Sequence, residues 1–239
     1  MAVSATTDAA FLAYNDLASS VPGEYAGTNI TDYGLGTSGA LLTDYASGAQ
    51  PGYTLSVTGS GGANTSTTTS NGTDPSSGTD AYSVFGDLVN MVQYIQGASG
   101  GGTVDLIFGG LMPGSLYEVV IFGERSPATD GRPTQFEISG ADAFINASTP
   151  GTDFSGPADP SVAYNTAPNF NTGYLARFTD VAPGADGTFS VRVSNTTPAS
   201  GQNWYVNALA FGEVPAPAPV ALLVAGLAAL GLGRRFASR

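Results

Sequence analysis

The chain has 239 residues, a formal charge of −12, seven Arg, and no Lys, His or Cys. Without imidazole, thiol or amine side chains it lacks most nucleophile–base pairs, Schiff-base chemistry and His- or Cys-ligated zinc, leaving carboxylate pairs as the chemistry still open. All 19 acidic residues precede residue 214, against only Arg125, Arg132, Arg177 and Arg192, a balance of −15 that excludes a phosphate-gripping surface and hence nucleic acid as a partner.

In chain order, the run Ala9 to Tyr14 reads as a first strand or a helical turn, and residues 18 to 50 as ordered loops with interspersed Tyr25, Tyr33 and Tyr45. Tyr53, Leu55 and Val57 alternate with Thr54 and Ser56, the pattern of a half-buried strand. Between Gly59 and Asp80, 16 of 22 residues are Gly, Ser or Thr. Such a stretch buries too little apolar surface to offset its own ordering, so a mobile surface loop within one domain is expected over 59–80. An interdomain linker is the alternative, but it leaves fewer than 60 residues ahead of it, a marginal core without disulfides.

Strand follows strand beyond Tyr82. Val104, Leu106 and Phe108 share one face; Leu116 to Gly123 is nearly continuously apolar and belongs at a sheet centre. Phe136 with Ile138, then Phe189 with Val191 and Val193, alternate with polar neighbours, and Trp204 to Phe211 reads as one closing strand. Some ten short strands with Gly and Pro punctuation, and no convincing amphipathic helix, predict an all-β antiparallel sandwich in a single domain over 8–212.

Phe108-x-x-Leu111-x-Pro113-Gly114 recurs as Phe178-x-x-Val181-x-Pro183-Gly184, each before an apolar strand. Duplication and chance recurrence of turn chemistry both account for it. The strand, plug, turn, strand arrangement resembles galactose-binding-like jelly-roll modules of bacterial surface proteins and glycan-active enzymes. A second resemblance to extracellular bacterial modules of that type lies in Asp130, Arg132, Thr134, Phe136, Ile138, Gly140, Asp142, Phe144, Asn146 and Gly151. The resemblance implies a jelly-roll fold more firmly than a ligand.

Three chemistries compete for the domain. A carboxylate-dependent glycoside hydrolase needs only two acids, and Glu118, Glu124 and Glu137 lie in or beside strands; Glu118 and Glu137 are more simply placed on a solvent face. Calcium is a candidate cofactor by analogy with jelly-roll modules, with Asp130, Asp142, Asp153 and Asp159 in one loop-rich region, although scattered Asp also serves turns. Extracellular polysaccharide is a candidate partner: Arg125, Asp130 and Arg132 share one loop, and Trp204 and Tyr205 offer stacking surface. The plainer alternatives are Arg–acid pairing within the loop and Trp204 in the core.

The end of the chain, 213–239, has its own organisation. Val214-Pro215-Ala216-Pro217-Ala218-Pro219 forms a stiff spacer, Val220 to Leu232 is an apolar run expected as a short helix, and Arg234, Arg235 and Arg239 make the tip cationic. Thirteen residues of helix reach roughly 20 Å, short of an about 30 Å hydrocarbon core, yet the run lacks a polar face and its arginines can snorkel to headgroups. Membrane contact through Val220 to Leu232 is expected, with the body outside. The arrangement resembles the PEP-CTERM sorting signal in its Val-Pro-x-Pro form, matching at Val214, Pro215, Pro217, Arg234 and Arg235, with Ala216 where the name-giving motif has Glu. The resemblance implies export, processing by an exosortase-type enzyme and a cell-surface or extracellular location. Export also calls for a basic, apolar leader, which Met1 to Asp8 does not supply; a start upstream, or Met1 set on a mature chain, is the expectation.

Overall fold

The computed structural model describes residues 10–17, 28–66, 72–89, 91–97, 101–126, 128, 131–196 and 201–215. Fifteen strands are described: β1 (Leu12–Asp16), β2 (Thr31–Asp32), β3 (Ala40–Leu41), β4 (Thr54–Ser60), β5 (Asn64–Ser66), β6 (Tyr94–Gln96), β7 (Thr103–Gly109), β8 (Leu116–Phe122), β9 (Pro133–Ser139), β10 (Ala141–Asn146), β11 (Ser161–Asn165), β12 (Ala176–Pro183), β13 (Phe189–Asn195), β14 (Tyr205–Val206) and β15 (Ala208–Val214). One short helix, α1 (Asp80–Phe85), lies between β5 and β6. A first six-stranded sheet runs β10-β12-β8-β15-β1-β2, and a second runs β11-β9-β13-β7-β4-β3. The short strands β14, β6 and β5 form a third sheet. Among the named strands every pairing is antiparallel except that of β1 with β2.

The second sheet follows strict alternation. Leu55 and Val57, Val104 and Leu106, Phe136 and Ile138, and Val191 and Val193 all point inward from β4, β7, β9 and β13. They meet Tyr117, Val119, Ile121, Phe178, Val181, Leu209 and Phe211 of the first sheet in one core. Phe211 lies at the middle of the aromatic packing, stacked on Phe108 at 4.9 Å and on Tyr117 at 5.5 Å between ring centroids. The chain is therefore an all-β sandwich, as the alternating strands predict.

Strands β8 and β15 do not alternate because both their faces are covered. Val120, Phe122, Ala208 and Ala210 point away from the main core and pack against Ala81 and Phe85 of α1, with Val89, Met91 and Leu175 beside them. α1 starts where the Thr79 side chain accepts the Tyr82 N–H (3.2 Å) and stops at Gly86, whose N–H donates to Tyr82 O (2.8 Å) at a φ of 51°. The expected central position of Leu116 to Gly123 holds: β8 lies between β12 and β15.

Two expectations are corrected. Residues 59–80 do not run as one surface loop: β4 continues to Ser60, Asn64–Ser66 pairs with β6, and the Ser76 N–H donates to Phe170 O (2.8 Å). Gly, Ser and Thr carry little apolar surface, but their backbone groups still pair, and the burial that anchors the segment comes from Ala81 and Phe85 just beyond it. Residues 67–71 lie outside the described part. The closing run Trp204 to Phe211 is split at Asn207, so that β14 joins the small sheet and β15 the large one.

Both copies of the Phe-x-x-apolar-x-Pro-Gly pattern mark crossings between the sheets, β7 to β8 and β12 to β13. The crossings touch, the Leu111 N–H donating to Gly187 O at 3.1 Å. Pro113-Gly114 makes the turn in the first copy, whereas Pro183 still belongs to β12 and the second turn falls on Ala185 and Asp186.

Candidate ligand-binding site

The end of β8 brings the predicted binding loop against the start of the closing strands. A Cβ at Gly123 would lie 2.2 Å from Tyr205 O, so only glycine lets the two backbones meet. Asn207, fully buried, ties the junction together. Its Nδ2 donates to Met91 O (2.8 Å) and Gln93 O (3.0 Å), while its Oδ1 accepts the Glu124 N–H (2.6 Å). The chain can leave one sheet for another here because this side chain satisfies the backbone groups that the sheets leave unpaired.

Glu124, the next residue along, is 0% exposed. Its Oε2 accepts the Thr73 N–H (2.9 Å), and its Oε1 has no hydrogen-bond partner among the described residues. Burial pushes the carboxyl up to about 8; the Thr73 bond opposes this and the Asp74 charge adds to it. At neutral pH Glu124 is thus mainly a neutral acid, buried against the Thr73 backbone.

Three of the predicted binding residues converge. The Arg125 N–H donates to Thr166 O (2.7 Å) and the Thr166 N–H donates to Arg132 O (3.0 Å), so one residue holds both arginine backbones. Arg125 Nη1 donates to the Tyr205 hydroxyl (2.7 Å), with its guanidinium carbon 5.3 Å from the ring centroid. Burial raises the Tyr205 hydroxyl above its ordinary range, and the charges of Arg125 and Arg132 pull the other way. Asp130 lies outside the described residues.

The aromatic part of the prediction is corrected. Trp204 is 0% exposed and belongs to the main core, its ring against Gly97 and its Nε1–H donating to Gly102 O (2.8 Å). The Tyr205 ring is equally buried and edge-on to Tyr94 at 4.8 Å. Neither ring offers a stacking face, because this run passes beneath other elements rather than along the surface.

The calcium set is not assembled either. Among the described residues no three acidic side chains converge on a common point, so Asp142, Asp153 and Asp159 do not form one site. Asp159 is a turn residue: the N–H groups of Ser155 (2.6 Å) and Ser161 (3.0 Å) donate to its carboxylate and hold it down to about 2. Asp142 is exposed on β10, and Asp153 is exposed beside a backbone bridge to Ala163. Of the strand glutamates, Glu118 pairs with Arg177 (2.6 Å) on the first sheet and Glu137 is exposed on the second. What the sequence did not disclose is the burial of Glu124 and the role of Asn207. The available signal was position: each is a polar residue at or inside an otherwise unbroken apolar run.

No protein family and no curated protein matches the chain. Among solved structures it is similar to the enzymatically active domain of tailspike protein 4 of bacteriophage CBA120, with 14% identity and a TM-score of 0.36 over 69% of this chain and 20% of that one. It is also similar to an exo-β-1,3-galactanase from Phanerochaete chrysosporium, with 12% identity and a TM-score of 0.27 over 63% of this chain and 29% of that one. The chain thus spans less than a third of the proteins it matches, and at TM-scores this low the likeness carries no argument about what it does.

Proposed function

We propose that the chain is an exported, non-catalytic protein of the cell surface or extracellular matrix, with a jelly-roll-type, galactose-binding-like sandwich sorted through a PEP-CTERM-like tail by an exosortase-type enzyme. The observation that carries this reading is where the sheet ends. β15 pairs with β8 as far as Val214, opposite Leu116, and Pro215 is exposed. The spacer motif begins where the sheet's hydrogen bonding stops, and the described core clusters draw on residues no later than Phe211. Pro217, the Val220 to Leu232 run, Arg234 and Arg235 lie outside the described residues, and no helix among the described ones is long and apolar enough to cross a membrane.

Non-catalysis is supported by the residue types and by their placement. The acid with a near-neutral pKa, Glu124, is sealed from solvent, while Glu118 is committed to Arg177. The test is replacement of Arg234 and Arg235 by Ala, and deletion after Pro219, followed by fractionation of the host. Loss of the surface-associated pool in both variants supports the proposal, and an unchanged distribution contradicts it.

A second reading, polysaccharide binding with or without calcium, is favoured by Arg125 and Arg132, both half-buried and held together through the Thr166 backbone. Retention of the protein on the host's own polysaccharide, and its loss in Arg125→Ala, is the expected result; equal retention of both proteins contradicts it.

A further inference from the structure

The layer over β8 and β15 is fastened at its entry to a buried acid. Residues 72–89 lead into and past α1, and Gly72 lies so close to Met91 that a Cβ there would stand 1.6 Å from the Met91 carbonyl oxygen. Ser76 and Ala81 tie the same segment to the loop ahead of β12, their N–H groups donating to Phe170 O (2.8 Å) and Gly173 O (3.1 Å). Beneath it lies the apolar face of Val120, Phe122, Ala208 and Ala210, packed against Ala81, Phe85 and Val89.

Glu124 follows β8 by two residues and reaches this segment through one bond, the Thr73 N–H on its Oε2. Thr73 and Asp74 are themselves exposed, so the fully buried carboxyl lies one hydrogen bond below residues that meet water. Its Oε1 has no hydrogen-bond partner, and the side chain no ion pair, among the described residues. The charge that acts on it is that of Asp74, which Asp87, past α1, reinforces by acting on Asp74 in turn. Arg125, the next residue, directs its Nη1 to the Tyr205 hydroxyl. From the closing strands Glu124 meets Asn207, whose Oδ1 accepts its backbone N–H, while Tyr205 packs against the preceding Gly123.

A buried carboxyl with one donor, one orphan oxygen and a carboxylate neighbour is tolerated as the neutral acid and not as the anion. Lifting the segment gives the carboxyl water, and with it ordinary acidity, so loss of the proton favours the lifted state.

We propose that Glu124 is a proton-operated latch: protonated, it lets residues 72–89 lie closed on the first sheet, and ionised, it releases them and bares the outer face of β8 and β15 while the two-sheet core stays folded. Covered, the carboxyl keeps its proton up to about 8, against an ordinary 4.5. Closure is therefore unaffected below about 4.5, weakens as pH rises towards 8 and levels off above it. Tyr14 and Tyr205, on neighbouring strands, are raised above the ordinary tyrosine range, chiefly by burial, and stay neutral through that window.

The test is amide hydrogen exchange of the full chain at about pH 6 and about pH 9, each rate divided by that of an unstructured peptide at the same pH. Protection at Ser76 and Ala81 is expected to fall at least about tenfold between the two, and at pH 9 to lie well below that of β7 and β13 with a weaker dependence on urea, the mark of local opening. Glu124→Gln keeps an acceptor for Thr73 and is expected to abolish the fall. Asp74→Asn, at an exposed position, is expected to lessen it by removing the charge that raises Glu124. Protection that does not change with pH, that falls equally in Glu124→Gln, or that matches β7 and β13 in both size and urea dependence would each overturn the proposal. Should Glu124→Gln not fold, an undiminished fall in Asp74→Asn overturns it instead.

Discussion

The two six-stranded sheets are built from the same kinds of strand, yet they meet water differently. The second sheet has one wet face, where Arg192 pairs with Asp105 at 2.8 Å and Glu137 stands in solvent. The first is covered on both sides at β8 and β15, by the other sheet within and by α1 with Val89 and Met91 without. A sandwich strand alternates only while one of its faces is wet. Where a third layer lies on top, alternation disappears and the polar residues that remain become structural joints.

The largest effect that can break this contrast is in the shared core. Phe211→Ala removes the ring stacked on Phe108 and Tyr117 and is expected to cost about 4 kcal/mol in urea unfolding. Next comes the joint beneath the third layer. Asn207→Leu leaves Met91 O, Gln93 O and the Glu124 N–H without their partner, and about 3 kcal/mol is expected, with faster hydrogen exchange at Glu124.

Glu124 sharpens the same contrast through pH. Its pKa is about 8 in the fold against an ordinary 4.5, so the folded state holds the proton more tightly than the unfolded one. Its effect is neutral below about 4.5, grows unfavourable as pH rises towards 8, and levels off above that. Melting temperature is expected to fall over that window, and Glu124→Gln to flatten the fall, raising stability at pH 8.5 while leaving it nearly unchanged at pH 5. The smallest effect belongs to the wet face: Arg192→Ala removes an exposed pair and is expected to cost less than about 1 kcal/mol, shrinking further in high salt.

Much of the sandwich was legible because β4, β7, β9 and β13 follow a period of two, and β8 advertised its central place by having no period. The covering layer was not legible, because its approach through 59–80 is made of residues whose contribution is backbone pairing, which composition does not reveal. The same limit applied to the site. That Arg125 and Arg132 lie together was legible from their proximity in sequence, whereas the contact of Arg125 with the buried Tyr205 and the burial of Trp204 and of Glu124 depend on what lies across the fold.

Sorting through the tail is tested most directly by the C-terminal residue of the protein recovered from the surface, medium and cytoplasmic fractions of its host. A chain ending between Val214 and Pro219 outside the cytoplasm is the predicted result, since the sheet is complete at Val214. A chain that still ends at Arg239 and is found only in the cytoplasm would contradict it.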